Sequence, residues 1–239
     1  MKITLIGYGK MGKAIEEIAI ARGHEIVNKV TSTQPIESVD FSNTDVAIEF
    51  TRPELAVKHI DICTSKNIPI VVGTTAWLER LDEVKDIITQ RSGSLLHASN
   101  FSVGVNIFFE LNKKLASLMS NQPSYQVAVE EIHHVQKLDA PSGTAVTMLN
   151  DIIKYHDSSK NWNLSNNDSI SEEGSIPVIA KREPDVPGTH EVRYVSEIDT
   201  ISLKHVAHNR KGFALGAVLA AEFIINKKGI FTMSDVLKF

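Results

Sequence analysis

Short apolar runs alternate with amphipathic segments along the first hundred residues. The run at 3–6 leads into a glycine-rich turn, and apolar side chains then recur at helical spacing from Met11 to Ala19. Alternating strands and helices predict a parallel sheet covered on both faces. The further strand-like runs are 25–30, 45–50, 68–72 and the pair Leu95-Leu96, with helical patterns at 55–65 and 78–90.

The pattern changes after residue 102, where longer elements predict a second, α+β domain. A polar stretch at 157–174, rich in Ser and Asn, indicates a surface loop. The segments 191–196 and 200–205 are expected to pair as a hairpin. The earlier elements of this region are predicted as a helix at 106–119, a strand at 126–133 and a helix at 144–155.

A final apolar helix at 213–225 is the best candidate to return to the first domain and cover its sheet. We therefore predict an α/β fold: a Rossmann-type parallel sheet over 1–101, a second α+β domain over 102–207, and a C-terminal return over 208–239. The apolar helix contains Glu222 and is shorter than the roughly 20 residues that a membrane span needs.

Composition narrows the function classes. The 239 residues carry a formal net charge of -4 and no run of Lys and Arg, which argues against a nucleic-acid partner and favours small molecules. The single cysteine, Cys63, cannot form an internal disulfide and fits a reducing compartment. With no signal peptide in the N-terminal pattern and no membrane segment, we expect a cytoplasmic protein.

The glycine turn carries a dinucleotide-binding signal. Gly7, Gly9 and Gly12 form G-x-G-x-x-G between a strand and a helix. The first glycine permits the tight turn, the second lets a pyrophosphate approach the backbone, and the third lets helix and strand pack closely. An ordinary glycine turn is the alternative. We predict that Gly7, Tyr8, Gly9, Lys10, Met11 and Gly12 bind the cofactor.

Other polar loops follow predicted strands, where the carboxyl ends of a parallel sheet surround a ligand. We predict cofactor contacts from three groups: Phe50 and Thr51; Gly73, Thr74 and Thr75; and Ala98, Ser99, Asn100 and Phe101.

The choice between NADH and NADPH stays open, with a leaning to NADPH or dual use. An acidic residue at the end of the second strand would hold the ribose hydroxyls, but the chain there is Val30-Thr31-Ser32-Thr33. Lys29 and the hydroxyls could instead receive a 2′-phosphate.

The stretch 130–144 (EEIHHVQKLDAPSGT) carries the candidate catalytic chemistry. His133 and His134 beside carboxylates suggest a metal, but neighbours on a strand point to opposite faces, so we expect none. Acid/base chemistry by the imidazoles and Lys137 is the better interpretation. A helix start near Ser142 then offers the N–H groups of Gly143 and Thr144 to an anion. A surface strand with solvated charges is the alternative.

These motifs make the whole chain resemble the dihydrodipicolinate reductase (4-hydroxy-tetrahydrodipicolinate reductase) family. The matching segments, in order, are GYGKMG, VGTT, ASNFSVGVN, EEIHHVQKLDAPSGTA and RKGFALGAV. The resemblance implies NAD(P)H-dependent reduction of 4-hydroxy-tetrahydrodipicolinate (dihydrodipicolinate) to tetrahydrodipicolinate, in the diaminopimelate pathway of lysine biosynthesis.

The resemblance also implies roles for individual residues. His133 would be a proton donor or acceptor, Lys137 a proton donor, and His134, Gly143 and Thr144 ligands of the substrate carboxylates. It further implies a homotetramer assembled through the sheet of the second, substrate-binding and oligomerisation domain, and a hinge that closes this domain over the cofactor.

Two other functions remain as alternatives. An aspartate- or homoserine-dehydrogenase-like enzyme would share the N-terminal glycine pattern, but this assignment would leave the segment HHVQKLDAPSGT unexplained. A regulator that binds dinucleotide without chemistry is disfavoured by His133 and Lys137.

Overall fold

The computed structural model describes residues 1–155, 160–166 and 174–239. The chain divides into two compact units, residues 1–103 with 210–239 and residues 104–209. These bounds lie two residues beyond those of the predicted domains. Within the described ranges, the helices lack the length and apolar composition that a membrane span requires.

The first unit is built on a six-stranded parallel sheet, which confirms the predicted Rossmann-type fold. The strands are β1 (Lys2–Ile6), β2 (Glu25–Val30), β3 (Val46–Glu49), β4 (Ile70–Val72), β5 (Ser94–His97) and β11 (Gly229–Phe231). Their spatial order is β11-β5-β4-β3-β1-β2. The helices are α1 (Lys10–Ala21), α2 (Pro53–Ser65), α3 (Leu81–Gln90), α6 (Lys211–Ile224) and α7 (Met233–Leu237).

Alternate side chains of the strands enter two separate cores. On one face, Leu5 and Ile48 pack with α1 and α6. On the other face, Ile6 and Ala47 pack with α2 and α3. The expectation that the helix at 213–225 covers this sheet is confirmed, because Ala217, Val218 and Ala221 of α6 are buried against it.

The second unit contains a mixed five-stranded sheet and two helices. The elements are α4 (Val103–Met119), β6 (Gln126–His133), α5 (Gly143–Tyr155), β7 (Asn161–Leu164), β8 (Ser175–Arg182), β9 (Gly188–Val195) and β10 (Thr200–Ala207). The strand order is β10-β9-β6-β8-β7, and α4 and α5 pack on one face of the sheet, around Val129, Met148, Val178 and Tyr194. The predicted hairpin is confirmed, because β9 and β10 pair antiparallel.

The interpretation of 157–174 as one surface loop is wrong in part. Residues 161–164 form the edge strand β7, which pairs with β8. Trp162 of this strand is half-buried against the core of the unit, and this burial outweighs the polar composition of its neighbours. Residues 157–159 and 167–173 of the predicted loop lie outside the described residues.

Helix α6 approaches another backbone segment of the first unit closely at Gly216, in the middle of the helix. A Cβ atom at this position would lie 1.6 Å from the carbonyl oxygen of Phe101. At Gly212, earlier in the same helix, a Cβ would lie 3.4 Å from the Ser102 hydroxyl. Of these two glycines of α6, Gly216 alone is therefore required by packing.

We predict that Gly216→Ala destabilises the protein, because helix α6 must move away from Phe101. Overpacking of this kind costs about 1–3 kcal/mol. In a chain of this length that lowers the melting midpoint by roughly 2–4 °C per kcal/mol. The matched control, Gly212→Ala, is expected to keep or raise the midpoint, because alanine is the better helix former. Equal midpoints for the two variants in a thermal melt would contradict this packing argument.

Candidate functional site

The glycine turn of the first unit has the geometry that a dinucleotide pyrophosphate needs. Gly7 adopts φ +97° and donates its N–H to the Val30 carbonyl at 3.0 Å. A Cβ at Gly12 would lie 2.3 Å from the Gly7 oxygen, whereas one at Gly9 would meet no described atom within 4 Å. The turn is therefore tight at its two ends and open at Gly9, where helix α1 begins and its N–H groups can meet an anion.

A cavity of about 520 Å³ extends from this turn to the end of β2. Its walls bring together the glycine turn, the loop after β2 and the first half of α2. They include Gly7, Tyr8, Gly9, Thr31, Ser32, Pro35, Ile36, Glu37, Thr51, Lys58 and His59.

The structure gives Lys29 two partners that the sequence did not indicate. Its ammonium pairs with Glu16 at 2.7 Å and lies 4.5 Å from the centre of the Tyr8 ring. Lys29 is thus held by two partners and does not line the cavity. Lys58, which forms an ion pair with Glu37, does line it and was missed by the sequence analysis.

Two further cavities, of about 370 and 220 Å³, lie at the carboxyl ends of the strands. Phe50 and Gly73 line both, and the Phe50 and Phe101 rings are 5.7 Å apart. The other predicted residues in their walls are Gly9, Lys10, Met11, Thr51, Thr74, Thr75, Ser99, Asn100 and Phe101.

Two of the predicted cofactor residues, Ala98 and Gly12, line none of the three cavities. Ala98 packs half-buried against the core between the sheet and α6, and Gly12 lies against the Gly7 carbonyl. Arg210 and Phe213 line the 220 Å³ cavity instead. Their signal was the RKGF sequence, to which the sequence analysis gave no individual roles.

A buried polar cluster supports the loop after β3. Glu49 has no exposed surface and accepts a hydrogen bond from the Thr51 hydroxyl. The imidazole Nδ1 of His59 lies 3.3 Å from the same carboxylate, and the Thr51 N–H donates to the Thr74 hydroxyl at 2.7 Å. Thr51 is therefore fixed from both sides, in the wall that two of the cavities share.

In the second unit, His133 is the last residue of β6 and is buried. Burial lowers the pKa of this imidazole, and the nearby charges of Lys137 and Arg182 lower it further, whereas the Glu131 carboxylate acts in the opposite direction. His134 follows the strand and is half-buried. Strand β6 ends at His133, so the strand alternation that was expected to separate the two rings does not extend to His134.

Lys137 lies in the loop that joins β6 to α5. Its ammonium binds both oxygens of the Asp139 carboxylate at 2.8 Å, and this ion pair lowers the pKa of Asp139. An ammonium has three N–H donors, so one remains for a ligand. Helix α5 then begins at Gly143, whose N-terminal position leaves its backbone exposed.

One buried carboxylate, that of Glu131, connects these elements. Its oxygens accept the Ser142 N–H at 3.1 and 3.0 Å, and Arg182 donates to Oε1 at 3.3 and 3.4 Å. Ser142 also caps α5, because its hydroxyl accepts the Ala145 N–H at 3.2 Å. The predicted cap is thus present, and Glu131 holds the capping residue.

His190 completes this cluster from the neighbouring strand β9. Its Nε2 lies 3.1 Å from the Ser142 hydroxyl, and burial lowers its pKa to about 3, so the ring is neutral near pH 7. Ligand atoms of Glu131, His133 and His190 lie within 4.8 Å of one another, as a metal site would require. Arg182 and the Ser142 N–H already bind this carboxylate, and a cation there would be repelled by the guanidinium.

Comparison with protein-family models identifies both halves of the chain. Residues 1–101 match "Dihydrodipicolinate reductase, N-terminus", and residues 104–237 match "Dihydrodipicolinate reductase, C-terminus".

Individual relatives cover the whole chain. A 4-hydroxy-tetrahydrodipicolinate reductase of Christiangramia forsetii is 48% identical over 99% of this chain and 98% of that protein. One of Thermosipho africanus is 32% identical over 100% of this chain and 98% of the relative. A solved dipicolinate-bound dihydrodipicolinate reductase from Paenisporosarcina sp. TG-14 has the same fold, with a TM-score of 0.78, 24% identity and 97% coverage of each chain.

The family expected from the sequence motifs is therefore confirmed. The alternative of a regulator without chemistry loses its support, because the named relatives over the full length are reductases. The cofactor is a nicotinamide dinucleotide, as the family's N-terminal domain implies. The chain belongs to the dihydrodipicolinate reductase family and is an oxidoreductase.

Proposed function

We propose that the protein reduces 4-hydroxy-tetrahydrodipicolinate to tetrahydrodipicolinate with NAD(P)H, in the diaminopimelate route to lysine. The observation that carries the proposal is that one segment, from His133 to Thr144, presents an imidazole, an ammonium and a helix N-terminus. The names of the full-length relatives support the same reaction.

The glycine turn and the three cavities of the first unit fit the cofactor. We infer that the open backbone at Gly9 holds the pyrophosphate, and that Phe50, Thr51, Gly73, Thr74, Thr75, Ser99, Asn100 and Phe101 line the rest of the path. When bound, the nicotinamide dinucleotide supplies a hydride.

The second unit supplies charge and protons. We infer that the N–H groups of Gly143 and Thr144, at the start of α5, bind one carboxylate of the substrate and that His134 contributes to carboxylate binding. Loss of the substrate hydroxyl as water leaves a conjugated imine, and its reduction consumes one hydride and one proton. Lys137 is suited to deliver that proton, and His133 to donate or accept one.

Cofactor choice is the finer part of the proposal. We infer that NADPH is used at least as well as NADH, because Thr31 and Ser32 stand where an acid would hold a ribose diol. Lys58 replaces Lys29 as the candidate for a 2′-phosphate, since it lines the same cavity as Thr31. Its partner Glu37 is the candidate acceptor for the free ribose hydroxyls of NADH.

The homotetramer and the cytoplasmic location stay predictions. In support of an assembly through the second unit's sheet, Val195 on β9 and Val206 on β10 lie on the same face and leave more than a third of their surfaces exposed. The turn between these strands adds Ile198, which is 90% exposed.

We predict that Lys137→Ala lowers kcat by about 10² to 10⁴, the usual contribution of a general acid. Cofactor affinity, measured by fluorescence titration, should stay unchanged, because the glycine turn belongs to the other unit. The control Lys154→Ala removes the same charge at the far end of α5 and should keep full activity. A rise in KM with kcat preserved would mean that Lys137 only binds substrate.

We predict that Lys58→Gln raises the KM for NADPH about 3- to 10-fold and changes the KM for NADH less. In a buried site, loss of a charge-assisted hydrogen bond to a phosphate would raise KM by more than about 10-fold. We expect a smaller effect here because Lys58 is half-exposed. The control Lys66→Gln lies at the end of the same helix and outside the cavity. Equal changes for both cofactors in parallel steady-state assays would refute the assignment of Lys58.

We predict that pyridine-2,6-dicarboxylate competes with the substrate and that pyridine-2-carboxylate inhibits at least about 10-fold more weakly. Pyridine-2-carboxylate lacks the second carboxylate and therefore cannot form its charge-assisted hydrogen bond, which is worth about 1.5–3 kcal/mol. Inhibition constants from the reductase assay measure the difference. Equal inhibition by the two compounds would show that the protein does not bind two carboxylates separately.

A further inference from the structure

The Glu131 carboxylate lies at the centre of the second unit's site, but the proposed chemistry gives it no task. It has no exposed surface, and its Oε2 atom is 3.5 Å from Nδ1 of His133 and 3.8 Å from Nε2 of His190. A buried carboxylate is costly unless charge and hydrogen bonds compensate for it. The Arg182 guanidinium and the Ser142 N–H provide this compensation.

The segment from 134 to 142 is tied to this ion pair in its middle and at its C-terminal end. Towards the C-terminal end, the Ser142 N–H binds Glu131 directly. In the middle, Arg182 donates to the carbonyl oxygen of Lys137 at 3.2 Å and to that of Asp139 at 2.6 Å. The backbone that carries the candidate acid Lys137 is therefore held by the same guanidinium that neutralises Glu131.

We propose that Glu131 and Arg182 form a positioning pair for the reduction, which holds the Lys137 segment and the start of α5 in place and sets the charge next to His133. This inference rests on the proposed function for its effect on turnover. Its structural part, which concerns the order of the segment and the protonation of His133, does not.

The electrostatic part has a definite sign. Five charged or titratable groups surround His133: Glu131 on its own strand, Lys137 and Asp139 on the following loop, Arg182 on β8 and His190 on β9. A neighbouring carboxylate favours the imidazolium and raises the pKa, whereas a guanidinium disfavours it. Glu131 and Arg182 therefore act on the pKa of His133 in opposite directions, although they stabilise the same backbone segment.

Neighbouring residues provide a matched control. Glu130 precedes Glu131 on β6, is half-buried and pairs with Lys181 of β8 at 2.7 Å. The substitution Glu130→Gln removes the same charge from the same strand and breaks an ion pair to the same neighbour strand. It leaves the contacts to Ser142 and Arg182 in place.

The experiment compares Glu131→Gln, Arg182→Gln and Glu130→Gln in the full-length protein. Amide hydrogen exchange over residues 134–145 and NMR titration of the His133 ring are measured without substrate or cofactor. The pH dependence of kcat is measured in the reductase assay. We expect faster exchange of this segment in the first two variants, with kcat lowered about 10- to 100-fold as the catalytic groups lose their alignment.

The pH dependence distinguishes positioning from a purely structural role. The His133 titration, and the limb of the kcat profile that depends on it, should move to lower pH in Glu131→Gln and to higher pH in Arg182→Gln. Glu130→Gln should match the wild type in exchange and kcat.

A lower melting midpoint in Glu131→Gln with unchanged exchange and an unmoved His133 titration would overturn the proposal. If Glu131→Gln does not fold, the less buried Arg182 still decides: no change in exchange or titration in Arg182→Gln would refute it. A wild-type protein with no reductase activity would refute the proposed function alone, because exchange and titration would still report on the pair.

Discussion

The parallel sheet of the first unit has to be covered on both faces, and this constraint organises the rest of the chain. Its strands carry Val, Ile, Leu and Ala side chains in alternation into both cores, so neither face can meet water. The first hundred residues provide α2 and α3 for one face but only α1 for the other. The remaining area is covered by α6, which follows the second unit in the sequence.

This covering helix also shapes part of the candidate cofactor site. At Gly216 its backbone comes so close to Phe101 that only a hydrogen atom fits between them. Phe101 in turn packs on Phe50, and both rings line the cavity that Arg210 and Phe213, at the start of α6, complete. Packing of α6 and the shape of the cavity are thus linked through one backbone contact.

The sequence predicted the elements whose pattern is local and strong. Strand β1, the glycine turn and α1 followed from spacing alone, and so did β6, α5 and the β9–β10 hairpin. Strand β8 was missed although its first half is buried, because Pro177 interrupts its apolar run. Strand β11 has only three residues and is recognised by its pairing with β5. Strand β7 was hidden in polar composition, because its stability comes from pairing and from the partial burial of Trp162.

Dependence on pairing with distant strands also explains why the positioning pair of Glu131 and Arg182 was not found from the sequence. Strand alternation was used to separate His133 from His134, and it equally places Glu131 and His133 on one face and Glu130 on the other. The local pattern does not tell which of the two glutamates points inward. That choice depends on partners far along the chain: the register sets Glu131 opposite His190 on β9, and His133 opposite Arg182 on β8. Once the order β9-β6-β8 is given, the buried carboxylate, its guanidinium and the neutral imidazole follow from the alternation of three strands.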